Sequence, residues 1–138
     1  MLQPKRTKFR KFHKGKATGI KQNTSSLHFG TYGIKVVEAG RLSSQVIEAA
    51  RRALTRKLRR NGQIWIRIFP DIAVSKKPAE VRMGKGKGAP EYWVARVQAG
   101  QILFEIAGVS AELAKQAGLL ASRKIALGTV FIKSEDAL

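Results

Sequence analysis

Between residues 43 and 60 the chain reads SSQVIEAARRALTRKLRR, and Ile47, Ala50, Leu54 and Leu58 recur at helical spacing to make one apolar stripe. Ser43 or Ser44 can cap this helix, and Leu42 and Ile47 have the spacing of a hydrophobic staple if Ser43 does so. Asn61-Gly62 is the expected stop. The period then changes. In QIWIRIF, residues 63–69, Ile64, Ile66 and Ile68 share one face and Trp65, Arg67 and Phe69 the other, which predicts a strand ended by Pro70. On that second face Trp65 and Phe69 read as packing residues rather than ligand stackers. AVSKKP suggests a further short strand or extended segment. YWVARVQAGQILFEIA, residues 92–107, predicts a hairpin turning near Ala99-Gly100. Ser110 can cap a second helix over AELAKQAGLLASRK, weakened by Gly118, and LGTVFIK, Leu127 to Lys133, predicts a final strand. Upstream, residues 23–41 alternate small and apolar positions with Gly30, Gly33 and Gly40, which predicts short strands and turns.

A chain of 138 residues without internal repeats is the size of one domain. Strands interspersed with two helices predict an α+β sandwich, a mainly antiparallel sheet with both helices on one face. The expected organisation is a basic N-terminal arm at 1–22, a body at 23–133 with a glycine-lysine loop at 82–90, and a loose acidic tail at 134–138.

Charge changes the picture most. Lys+Arg number 27 against 9 Asp+Glu, a net charge of +18. A compact domain so charged repels itself unless a polyanion neutralises it. A phosphate backbone or an anionic membrane could serve. No apolar run approaches the ~20 residues of a spanning helix, which disfavours the membrane. The N-terminus lacks the apolar region of a secretory signal. It has arginine and no acid, as a transit peptide would, but is lysine-heavy and not obviously amphipathic. Cysteine is absent, so disulfides, thiolate metal sites and thiol nucleophiles are excluded, and a reducing compartment fits.

Three groups of residues carry the candidate chemistry. In the arm, Lys5, Arg6, Lys8, Arg10, Lys11, Lys14, Lys16 and Lys21 stand without an acid, interleaved with Phe9 and Phe12. Such a block reads as an arm that orders on a polyanion, or as a solubilising tail; the aromatics favour the first. On the first helix Arg51, Arg52, Arg56, Lys57, Arg59 and Arg60 accompany only Glu48, more cations than intrahelical pairing explains. A nucleic-acid face and a solvated face suited to the helix dipole both fit. The third group is RMGKGKG: Arg82, Met83, Gly84, Lys85, Gly86, Lys87 and Gly88. A P-loop requires Ser or Thr after its lysine and a following helix; no Ser or Thr follows either lysine, and Pro90 stands where the helix would start. The glycine spacing does not fit a dinucleotide fingerprint either. What remains is a loop whose backbone can approach phosphates closely, or a plain surface turn.

Enzyme chemistry finds no foothold. The nine acids are scattered, with no pair placed for acid–base or metal work, although Glu80 and Glu91 could meet at the base of the loop or pair with nearby lysines. His13 and His28 alone do not make a metal site. No cofactor is expected. A DNA-compacting regulator could use the same cations, though the long arm and a loop unsuited to reading a groove argue against it.

RNGQIWIRIFP (Arg60–Pro70) and RMGKGKGAPEYW (Arg82–Trp93), with the opening MLQPKRTKFRKFHKG and IEAARRALTRKLRR, resemble the large-subunit ribosomal protein L-sixteen family over nearly the whole chain. The resemblance implies an α+β protein bound to large-subunit rRNA near the aminoacyl-tRNA site and peptidyl-transferase region. It implies joining late in assembly beside neighbouring large-subunit proteins, with no membrane association and no catalysis of its own. The loop Arg82–Gly88 would point toward tRNA, and the arm Lys5–Lys21 would thread into rRNA. The expected location is the ribosome of a bacterial cytoplasm, with an organellar ribosome as the alternative. The chain departs from the family pattern at Ile72-Ala73, Ala99-Gly100, Lys124–Leu127 and the acidic tail, which bears on local turns and tail contacts.

Overall fold

A computed structural model describes residues 1–19 and 25–134. Lys21 of the arm and the last four residues of the acidic tail lie outside the described residues. Within them the order is β1 (Tyr32–Val36), β2 (Gly40–Ser43), α1 (Ser44–Leu58), β3 (Gln63–Ile66), β4 (Ile72–Lys76), β5 (Ala89–Val97), β6 (Ile102–Ala107), α2 (Ala111–Ser122) and β7 (Thr129–Lys133). This is the expected α+β class with antiparallel pairing. The strands divide into two sheets, ordered β3-β6-β1-β7 and β2-β5-β4.

The predicted hairpin over 92–107 is corrected. Gly100 does turn the chain, with φ 89°. But β5 pairs with β2 and β4, whereas β6 pairs with β1 and β3. The turn carries the chain from one sheet to the other. Both runs are apolar on the side facing the helices, and that shared pattern cannot say which strand lies alongside.

The helix stripe is buried as its spacing requires: Ile47, Ala50, Leu54 and Leu58 are all at most 2% exposed. They meet Ile34, Val36, Phe104 and Ile106 of the four-stranded sheet, Leu42, Ala95 and Val97 of the other, and Ala114, Ala117 and Ala121 of α2 in one continuous core. Ser43 caps α1, its Oγ accepting the Val46 N–H at 3.3 Å, and Ser110 caps α2 through the Leu113 N–H at 3.3 Å. Each such cap contributes about 1 kcal/mol. Gly118 has a packing role that the sequence did not show. A Cβ there would stand 3.2 Å from the Phe131 ring and 3.6 Å from Ile34, so its absence lets α2 sit close on β1 and β7.

Trp65 is a packing residue as expected, stacked on Phe29 with centroids 6.0 Å apart. Phe69 instead stays 46% exposed. Beside Trp65 in the ladder lies Glu105, fully buried in β6. One carboxylate oxygen accepts the backbone N–H groups of His28, Phe29 and Gly30 at 2.9, 3.0 and 3.1 Å. The other lies 3.1 Å from the Arg67 guanidinium. A buried carboxylate is tolerated only with hydrogen bonds and a counter-charge such as these. Glu105 therefore pins the segment before β1 to the outer face of the four-stranded sheet.

Candidate nucleic-acid interface

The cations of α1 fall into two sets. Arg51 forms a bidentate pair with Glu48, its Nε–H donating to Oε2 at 3.0 Å, and the Arg52 Nε lies 3.3 Å from the same carboxylate. The hydrogen bond from Arg51 is the main reason that the Glu48 carboxyl is held down, from its ordinary 4.5 to about 2. No carboxylate lies within ion-pair distance of Arg56, Lys57, Arg59 or Arg60 among the described residues. These four gather at the C-terminal end of the helix, where the dipole favours positive charge.

The helix ends differently from expectation. Arg59 and Arg60, at φ 52° and 63°, adopt the left-handed conformation themselves, ahead of Asn61-Gly62. The Arg59 N–H caps the helix on the Thr55 carbonyl. Two non-glycine residues in this region are a local strain, and they turn two arginines outward at the helix end. A groove of about 760 Å³ opens there between the helices. Arg56, Lys57 and Arg59 line one side, and Arg123 and Lys124 the other. Arg123 and Lys124 were not singled out in the sequence, because only the packing of α2 on α1 brings them alongside.

The glycine-lysine loop is the tip of the β4–β5 hairpin, closed where Lys76 pairs with Ala89. Gly88 is required at its base, since a Cβ there would fall 2.8 Å from the Lys76 carbonyl group. At the tip Gly84, Lys85 and Gly86 have successive positive φ values of 102°, 62° and 91°. A Cβ on Gly84 or Gly86 would meet nothing, so the backbone stands open to solvent. Arg82, Lys85 and Lys87 are exposed and Met83 is 99% exposed. Lys77 steadies the turn by donating to the Gly84 carbonyl. Glu80 and Glu91 flank the loop, exposed and without an ion pair among the described residues.

The arm lies along the outer face of the three-stranded sheet. Arg41 and Arg96 face each other directly across the β2–β5 ladder, an arrangement that repels unless both charges are satisfied. One terminal nitrogen of each is met by carbonyls of the arm. Arg41 donates to Lys14 and Gly15 at 2.6 and 2.7 Å, and Arg96 to His13 and Lys14, both at 2.7 Å. Gln98 holds the Thr18 carbonyl at 2.7 Å. The arm also ties to the loop: Lys11 donates to the Lys87 carbonyl at 2.8 Å, and the Lys87 ammonium donates to that of Phe12. Lys5, Arg6, Lys8, Arg10, Lys11, Lys14 and Lys16 remain exposed, while Leu2 packs against the core. The geometry thus separates cations tied to internal groups, Arg67 and Arg96, from those turned to solvent, with Arg41 half-buried and tied to the arm through one terminal nitrogen.

Among the described residues no three of His, Cys, Asp and Glu gather to hold a metal ion, and no helix is long and apolar enough to cross a membrane. The arrangement suits binding: exposed cations on three elements, an open glycine backbone, and aromatics beside them.

Comparison with known proteins bears on this directly. The profile of the family described as Ribosomal protein L16p/L10e matches residues 4–132. The chain is 59% identical over 132 residues to the large ribosomal subunit protein uL16m of Prototheca wickerhamii, covering 96% of this chain and 98% of that one. It is 58% identical over 132 residues to the large ribosomal subunit protein uL16 of Paramagnetospirillum magneticum, covering 96% of each. It is also 58% identical over 133 residues to that of Xanthobacter autotrophicus, covering 96% of this chain and 97% of the relative. A match of this extent shows that the chain belongs to the ribosomal protein L16p/L10e family, a family of ribosomal structural proteins and not of enzymes.

Proposed function

We propose that this chain is a structural constituent of the large ribosomal subunit that binds large-subunit rRNA near the aminoacyl-tRNA site and the peptidyl-transferase region, supports late subunit assembly and helps position tRNA. The names of its relatives support the subunit. The observation that carries the RNA reading is the unpaired cationic rim at the end of α1, facing Arg123 and Lys124 across the groove. Together with the arm cations it offers a phosphate backbone repeated contacts, with no carboxylate paired to the rim among the described residues. Each phosphate so neutralised adds about 0.7–0.9 to the slope of log affinity against log salt. Specificity then comes from RNA shape and 2′-hydroxyl contacts rather than from a base code.

The loop Arg82–Gly88 is the element proposed to reach tRNA. It projects as a hairpin tip, its backbone is unobstructed at Gly84 and Gly86, and its cations extend from the sheet. Lys85 and Lys87 have different surroundings. Lys87 reaches back to the arm, whereas no side-chain hydrogen bond or ion pair holds Lys85 among the described residues.

Sedimentation on a sucrose gradient at moderate and then high salt tests the reading. The chain is expected to stay with large subunits and to be missing from early assembly particles; a chain that runs free or with DNA refutes the role. Lys85→Ala is expected to assemble normally and slow tRNA handling in the completed subunit. An assembly block without a translation defect would contradict the loop's part. Lys87→Ala should additionally loosen the arm.

A further inference from the structure

Between the arm and the outer face of the three-stranded sheet lies a second cavity, of about 590 Å³. Its volume falls within the roughly 300–1,000 Å³ of sites that enclose small ligands. Phe12 of the arm and Tyr92 of β5 bring aromatic rings to its wall, and aliphatic side chains of β4 and β5 floor it. Lys14, Arg41 and Lys87 line it too, and no carboxylate among the described residues does. Ser75 is also among the residues around it, its hydroxyl oxygen buried and without a hydrogen-bond partner among the described residues. Native structures rarely leave a buried hydroxyl unpartnered, because it forfeits about 1–3 kcal/mol of solvation.

We infer that this cavity receives one extruded nucleotide of the RNA, its base against Phe12 and Tyr92, its edge on the Ser75 hydroxyl, and its phosphate among Lys14, Arg41 and Lys87. The inference rests on the chain being an rRNA-binding protein and names a subsite for it. Each wall matches a part of that ligand. Aromatic rings stack on any base. A serine hydroxyl can donate or accept, so it can meet a base edge of either kind. The cations retain capacity for phosphate: Arg41 uses only one terminal nitrogen on the arm carbonyls, and the Lys87 ammonium one of its three protons. An acidic peptide would satisfy the cations but leave the aromatic wall unused. The bulge at Val74/Ser75, where the β4–β5 register shifts, breaks the regular ladder beside the hydroxyl.

The test uses large subunits reconstituted with the full chain. Ultraviolet irradiation followed by mass spectrometry is expected to find a zero-length cross-link from Phe12 or Tyr92 to a single nucleotide. Tyr92→Ala is expected to expose that nucleotide to base-modifying reagents about tenfold, the equivalent of about 1.4 kcal/mol and within the range of one stacked base. Ser75→Ala is the second variant and is the gentler one. Since its hydroxyl has no partner among the described residues, its loss should raise rather than lower the thermal stability of the free chain, while lowering the nucleotide's protection. Subunits that contain the chain but show no cross-link at either aromatic, or a cross-link there to protein, overturn the inference and leave rRNA binding standing. A chain absent from the subunits removes the rRNA reading and this subsite with it.

Discussion

Arg59 joins two demands that should separate on substitution. It closes α1 in the left-handed conformation at φ 52° and lines the cationic groove with Arg56, Lys57, Arg123 and Lys124. An L-residue held there costs about 1–2 kcal/mol, which glycine escapes. Glycine gives back about 0.4–1 kcal/mol through its freedom in the unfolded chain. Loss of a cation near the helix C-terminus removes about 0.3 kcal/mol more. Arg59→Gly should therefore gain about 0.5 kcal/mol, raising Tm by about 2 °C. Arg59→Ala keeps the strained backbone and loses the charge, so it should be less stable than both the parent and the glycine variant. On RNA the two variants should behave alike, each lowering the salt slope by about 0.7–0.9 if one phosphate contact is lost. The assays are thermal unfolding and filter binding to a large-subunit rRNA fragment across a salt series. Alanine more stable than glycine would refute the left-handed closure. An unchanged slope in both variants would refute the phosphate contact.

Three other outcomes follow from the same structure. Glu105→Ala leaves three backbone N–H groups without their partner and Arg67 with the Ser26 carbonyl in place of its counter-charge, and should cost about 3–5 kcal/mol, with faster amide exchange at His28, Phe29 and Gly30 than elsewhere in the sheet. The Glu48 carboxyl, held from 4.5 down to about 2, stabilises the fold above its unfolded value, and that contribution disappears as pH falls through this window. Because the Arg51 side chain is 37% exposed, solvent screening limits the contribution to about 0.3–1 kcal/mol, and Glu48→Gln should flatten acid unfolding by that amount between those pH values. Gly118→Val should force α2 away from Phe131 and lower stability by about 1–3 kcal/mol in denaturant titration, with the same unfolding slope.

What the sequence showed and what it hid divide along contact range. The stripe Ile47, Ala50, Leu54 and Leu58 and the caps Ser43 and Ser110 are local facts, and the periodicity contained them. The pairing of β6 with β1 and β3 is not local, so the run before Gly100 and the run after it looked like partners when they were not. The same distinction applies to the charges. Composition announced a cationic surface, but nothing in it separates Arg96, occupied with arm carbonyls, from Arg56, open to solvent. Glu105 was one scattered acid among nine, though a lone acid inside the apolar run LFEIA was the available signal for a pinned carboxylate. Gly88 stood in a basic loop and suggested phosphate, yet its smallness is needed where the hairpin closes on Lys76.

The order β3-β6-β1-β7 has a consequence for how the protein comes into being. No two neighbours in that sheet are consecutive along the chain, and β1 waits for β6 on one side and β7 on the other. During synthesis the first hundred residues can therefore form α1 and the β2-β5-β4 sheet beside it, but not the four-stranded sheet or α2, which complete the core around its stripe. Loop closure over such distances is slow, and it leaves apolar strand edges uncovered in the meantime. A newly made chain of this kind travels as a highly charged, partly folded polymer. Its last strand, Thr129–Lys133, is the piece whose emergence completes the four-stranded sheet.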